Sequence, residues 1–290
     1  MRTAEHFLKF LVISACFLFS VTESRAQEST ASSVPWAYGS YFGTGWYRID
    51  ADRDIYVIRY SPRWELREAD FAEDGTRTIG IELRFPITFG LNNFSYGDLP
   101  GSIDPDNLSS LSVTPGIDIT IPITEKWMLR PYGAVGWGGA FNSSESVWTY
   151  WGGIKSRYSF QHGKLDWALL NSVTYVGHKP SVGPSDDFWP LMAGLEFDYP
   201  LGKRKLDGEQ VLLSWHGTYT TFEGDLSDVL DDGSSAPIND QWEFGMSFRK
   251  EEGQIKILFL KFDRLGLAYR FSTSGDFKGI SFVFRSTFDS

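Results

Sequence analysis

Thr78-Ile79-Gly80-Ile81-Glu82-Leu83-Arg84-Phe85-Pro86-Ile87-Thr88-Phe89 is the stretch on which the fold turns. Its odd positions are all apolar, and its even positions are small, polar or charged. Successive side chains of a strand point to opposite faces, so this segment has one greasy face and one wet face. The wet face carries Glu82 and Arg84 in mid-strand, and the greasy face is rich in aromatic rings. A soluble sandwich strand alternates too. About a dozen such runs behind an export signal instead predict an all-β protein, a transmembrane antiparallel up-and-down β-barrel with a polar interior.

Outward from that stretch, runs and breaks place strands near 36–49, 54–66, 77–91, 110–123, 127–142, 146–160, 165–178, 188–200, 209–222, 238–249, 254–272 and 278–288. Bacterial single-chain barrels have even strand numbers, with short turns on the periplasmic side and longer loops outside. Twelve strands with both termini periplasmic put the longest loops, 92–109 and 223–237, outside. Splitting 254–272 at Lys261-Phe262-Asp263-Arg264 would swing the acidic loop 223–237 to the wrong side. The segment is therefore expected as one long strand with a bulge near Lys261, where the alternation slips.

The N-terminus sets the compartment. Arg2 and Lys9 lie in a charged region, Phe10 to Val21 is apolar, and Ser24-Arg25-Ala26 offers a small-x-small cleavage site. This reads as a secretory signal over 1–26, too short to span a bilayer as a helix. Residues 27–35 then form a short periplasmic segment and 36–290 the barrel. Ile13-Ser14-Ala15-Cys16 also resembles a lipoprotein cleavage box. Cleavage there would leave Phe17-Leu18-Phe19 on the mature chain and truncate the apolar region, so the signal peptide is preferred. Cys16 is the only cysteine, so a chain cut after Ala26 has no disulfide framework and no thiol chemistry.

The chain is acidic, with 27 Lys and Arg against 37 Asp and Glu for a net of −10. The first 26 residues hold three of the cations and two of the acids, so the mature chain stands at −11. That balance argues against nucleic acid as a partner.

The alternation then sorts side chains by face. The lipid-facing set runs through Ile79, Leu83 and Phe89, Ile117, Ile119 and Ile121, Val135 and Trp137, Leu195 and Phe197, Leu213 and Trp215, Trp242, Phe244, Met246 and Phe248, and Ile280, Phe282, Phe284 and Phe288. Aromatics gather toward strand ends, as interfacial girdles require. The opposite face collects the expected lumen charges: Arg59, Arg63, Glu82, Arg84, Asp118, Arg130, Lys155, Arg157, Glu196, Asp198, His216, Glu243, Arg249 and Arg285, with Glu65 and Asp166 beside them. At twelve strands the lumen should be wider than side chains alone can fill, yet far narrower than a sixteen-stranded porin. Unpaired buried charges are expensive, so mixed signs predict a ladder of ion pairs around a thin water column. A selectivity filter for small solutes would use the same residues.

Candidate chemistry is sparse. Ser214 and His216 sit two apart on one strand and share the lumen face, pointing away from lipid while Trp215 faces it. A hydrolase needs a nucleophile, a base within reach and a group that orients the base. No nucleophile motif marks Ser214, and the pair reads as lumen polarity. His178 and His162 have no ligand partner at useful spacing, so no metal site or cofactor is expected. The outer-loop carboxylates Asp104, Asp106, Asp186, Asp187, Asp231 and Asp232 read as solvated groups, able to share divalent cations with lipopolysaccharide phosphates.

Pro115-Gly116-Ile117-Asp118-Ile119-Thr120-Ile121-Pro122-Ile123-Thr124-Glu125-Lys126-Trp127-Met128-Leu129-Arg130-Pro131-Tyr132-Gly133, with Gly136-Trp137-Gly138 after it, resembles the hairpin of autotransporter translocator barrels. The whole chain is similar to the solitary, passenger-less autotransporter-like barrels of Gram-negative bacteria. That resemblance implies the cell outer membrane, a monomer among lipid and lipopolysaccharide, and contact with the barrel-assembly machinery through a C-terminal strand ending near Phe288. It implies no secretion role, because only Gln27 to about Pro35 precedes the first strand. The expected function is a structural or surface-interaction barrel or a narrow pore, not an enzyme. A lipid- or lipopolysaccharide-modifying enzyme is the alternative, and a soluble periplasmic binding protein is a third reading.

Overall fold

The computed structural model describes residues 43–49, 53–92, 108–141, 146–181, 185–224, 227–229, 235–258 and 260–289. The expected signal peptide, the segment 27–35, Cys16 and the loop carboxylates Asp104, Asp106, Asp231 and Asp232 lie outside the described residues. Twelve antiparallel strands, each paired with its neighbours in the chain, close into a barrel. They are β1 (Gly45–Ile49), β2 (Arg53–Tyr60, continued by Arg63–Arg67), β3 (Gly80–Arg84, continued by Ile87–Asn92), β4 (Leu108–Val113, continued by Gly116–Thr124), β5 (Trp127–Ala140) and β6 (Ser146–His162). The second half is β7 (Leu165–Pro180), β8 (Asp186–Leu206), β9 (Glu209–Gly224), β10 (Asp240–Lys250), β11 (Arg264–Phe271) and β12 (Phe277–Val283). Closure comes where β1 meets β12, with Gly45 opposite Ser281 and Ile49 opposite Phe277.

Three of these strands are interrupted at one level, and prolines are the cause. A proline cannot donate to the ladder, so it bends or breaks a strand. Pro62, Pro86 and Pro115 sit at the breaks of β2, β3 and β4. Their carbonyls stay in use, accepting from Phe85 (3.0 Å), Thr114 (3.0 Å) and Val135 (3.1 Å) of the next strand. The sheet thus bends along a stepped line of prolines without opening. At the other side of the barrel, β8 and β9 run past the expected turn at 201–208 to a tight Asp207-Gly208 reversal. Both residues there have positive φ, 54° and 91°, as the favoured two-residue hairpin turn requires.

Alternation sorts the faces. Val135, Trp137, Leu195, Trp215, Phe244, Met246, Phe248 and Phe282 all project outward and are exposed. Rings touch in chains across the outside. Phe160, Trp167 and Phe197 form one run near the turn 163–164, and Tyr219, Trp242, Phe244 and Phe271 form another toward the opposite end.

Two expectations need correction. The segment 254–272 is not one bulged strand. Ile255–Ile257 pairs with Leu260–Phe262 as a small hairpin outside the barrel sheet, Lys261 lies in that hairpin, and β11 starts at Arg264. Phe288 does not face lipid. β12 ends at Val283, and residues 284–289 curl inward, leaving Phe288 only 3% exposed against Ala168 and Leu170 with Met128 and Met192 alongside. An outward-facing Phe288 would extend the alternation, but the ring gains an apolar socket inside.

Candidate functional site

The barrel interior divides into two halves. Toward the ends where β2, β6, β8 and β12 begin, Tyr47, Val57, Trp151, Val176, Phe188, Phe222 and Phe277 form one packed apolar cluster reaching across the barrel, with Thr149, His178, Thr220 and Gln241 buried on the same inner face. Tyr47 stacks on Phe277 at 6.0 Å. This plug departs from the expected water column, since rings from five strands and valines from two more pack together inside the barrel.

The other half is charged. On the β2–β4 wall, like charges face each other across the ladder, with Arg63 opposite Arg84 and Glu82 opposite Asp118. Directly opposed like charges destabilise a sheet. The ion pairs therefore run diagonally, Arg63 to Glu82 at 3.0 Å and Arg84 to Asp118 at 2.8 Å. Arg84 also lies over the Tyr132 ring, as does the Lys155 ammonium, and the Tyr132 hydroxyl meets Thr174 Oγ1 at 2.6 Å.

On the opposite wall, Glu196 accepts from both Arg157 (3.0 Å) and Arg264 (2.9 Å) and is itself 1% exposed. Asp198 is held by Arg249 at 2.6 Å and by the Ser214 hydroxyl. His216 Nε2–H donates to Glu243 at 2.7 Å, and Arg270 pairs with the same carboxylate. His216 fits there because Gly245 is its direct cross-strand partner, and a Cβ at 245 would collide with the imidazole ring. Ser214 and His216 are thus tied to different acids rather than to each other, which is not the nucleophile–base pairing a hydrolase uses.

The hook 284–289 closes this charged half. Arg130 pairs with the Asp289 carboxylate at 2.5 Å and lies 4.3 Å from the Phe288 ring centre. Ser286 donates to Asp289 at 2.7 Å, Arg63 reaches the Asp289 carbonyl, and Lys155 lies 3.4 Å from the Phe288 carbonyl. Burial alone would raise the Asp289 carboxyl. Arg130, the Ser286 hydroxyl and Arg63 overcome it and hold the group at about 2. Beside the hook lies a cavity of about 450 Å³ bounded by Arg130, Arg157, Arg249, Arg264, Phe288 and Asp289.

Of the remaining sequence candidates, Arg285 sits at the rim, donating to the Ser61 carbonyl at 3.0 Å with Asp263 3.9 Å away. Glu65 and Asp166 stand exposed near the turns instead of inside. Arg264, Arg270 and Asp289 were not expected in the interior. The first two carry a readable signal, since Arg264-Leu265-Gly266-Leu267-Ala268-Tyr269-Arg270-Phe271 alternates cleanly. Asp289 carries none, because its position depends on the hook. Among the described residues, no group of three or more His, Cys, Asp or Glu could hold a metal ion.

With this geometry in hand, solved structures give a direct likeness. The β domain of the Bordetella autotransporter BrkA matches 83% of this chain and 96% of its own, at 11% identity and a TM-score of 0.51. The fold is that of an autotransporter translocator barrel. The translocator domain of NalP from Neisseria meningitidis follows at 10% identity, covering 82% of each chain with a TM-score of 0.46. LpxR from Salmonella typhimurium covers 80% of this chain and 88% of its own at 14% identity and a TM-score of 0.44. No family model matches the chain, and no curated protein matches it.

Proposed function

We propose that this protein is a monomeric, integral outer-membrane barrel, exported by residues 1–26, with a structural or surface-interaction role and no enzymatic activity. The observation that carries this reading is the filled interior. Rings from opposite walls meet in one half, and ion pairs and the hook occupy the other. An outward belt of exposed aromatic and aliphatic side chains, on strands with charged inner faces, supports the membrane location. The translocator fold supports the same compartment, in which lipid and lipopolysaccharide surround the barrel. The barrel-assembly machinery engages β12, whose Ile280 and Phe282 point outward.

The narrow-pore reading is weakened by the apolar plug, whose packed rings crowd the lumen. Planar-bilayer recording of the refolded protein tests the choice. A filled barrel passes no steady current at moderate voltage. A stable, reproducible open conductance in the wild-type protein would return the lumen to the pore class.

A further inference from the structure

Between the apolar plug and the hook, the inner wall of β2 to β6 carries more cations than acids. Five cationic side chains, Arg59, Arg63, Arg84, Arg130 and Lys155, share it with three carboxylates, Glu82, Asp118 and Asp289. Each acid is committed to one arginine at ion-pair distance. Arg59 is left over. It points inward from β2 beside Val57, within electrostatic reach of Arg84, Arg63 and the already paired Asp118, and no carboxylate of a described residue lies at ion-pair distance from it. An uncompensated charge inside a barrel wall is costly, and partnering it with an opposite charge relieves that cost.

A second, independent observation points to the same place. Thr88, the direct cross-strand partner of Arg59, and Thr114 on the neighbouring strand are 4% and 0% exposed. The hydroxyls of both, and the Nε–H groups of Arg59, Arg63 and Arg84, are buried without a hydrogen-bond partner. Other interior atoms, such as Arg264 Nε, share this condition, but here five of them fall on the inner faces of three consecutive strands around the cation that has no acid. The same wall already takes one carboxylate, that of Asp289, between Arg130 and Ser286.

We propose that this stretch of inner wall is a binding site for a small oxyanion, phosphate or carboxylate in class, centred on Arg59 with Thr88 and Thr114 donating to it. A guanidinium fork with flanking hydroxyls suits a planar or tetrahedral oxyanion better than a spherical halide. The site is independent of whether the barrel conducts.

The experiment follows the thermal midpoint of the full, refolded chain, read from the folded band on unboiled gels, against inorganic phosphate. Sodium chloride holds the ionic strength constant. Wild type should show a saturable rise with phosphate. Arg59→Gln should melt no lower than wild type without phosphate and should show no rise. Thr88→Val with Thr114→Val keeps Arg59 and breaks no existing hydrogen bond. It should shift the phosphate midpoint at least about tenfold upward, the scale of hydrogen bonds to a charged group, and it serves where Arg59→Gln does not fold. A phosphate response that chloride matches, one that persists unchanged in Arg59→Gln, or a double-valine midpoint equal to wild type would overturn the proposal.

Discussion

Glu196 shows at the scale of one residue how this barrel tolerates charge. It is almost fully buried, and it neutralises Arg157 from β6 and Arg264 from β11, side chains far apart in sequence. Glu196→Gln keeps the shape but leaves two guanidinium groups without their acid. Breaking a buried pair typically costs about 3–5 kcal/mol, so the heat-induced unfolding midpoint should fall clearly, while Glu65→Gln at an exposed position should leave it unchanged. Equal midpoints for the two variants would show that the interior is too wet for pairing to matter. The inward direction of Arg59, Arg84, Asp118, Glu196 and His216 is legible because alternation fixes the face. Their partners are not legible. Arg63 opposes Arg84 in the ladder yet pairs with Glu82, and the diagonal choice depends on strand stagger that no local pattern carries.

The hook is the element that the chain's pattern hides. Ile280, Phe282 and Phe284 set up an outward phenylalanine rhythm that Phe288 would continue, and only the end of β12 at Val283 releases the chain to turn inward. The hairpin 255–262 misleads for the same reason, since Ile255-Lys256-Ile257 and Leu260-Lys261-Phe262 alternate as any strand does. Its reversal instead uses Leu258 at φ 55°, with no glycine to announce it. Alternation reports that a segment is extended, not which strand it pairs with. The hook also carries a pH signature. Asp289 is held at about 2, below its ordinary 3.8, so its stabilisation is fully present above about pH 4 and is lost as pH falls through about 2. The midpoint difference between wild type and Asp289→Asn should therefore be constant at neutral and mildly acidic pH and shrink toward pH 2. A difference that instead grew on acidification would mean that the carboxyl is neutral in the folded hook.

For the whole molecule, the strand number, the closure and the outward apolar surface all follow from one repeating pattern that the sequence displays openly. The half-apolar interior does not, because Tyr47, Val57, Trp151, Phe188 and Phe277 occupy inward positions that parity alone would assign to a wet face. Those residues make the lumen a core, and they shift the reading from pore toward a filled scaffold in lipid. A closed barrel has no free edge from which to unravel, so it resists detergent until boiled. Fractionation of cells expressing the full chain, followed by gels with and without boiling, tests the membrane barrel most directly. The expected result is recovery in the outer-membrane fraction with a band that migrates differently after boiling. Recovery in the soluble periplasm with identical mobility in both lanes would contradict it.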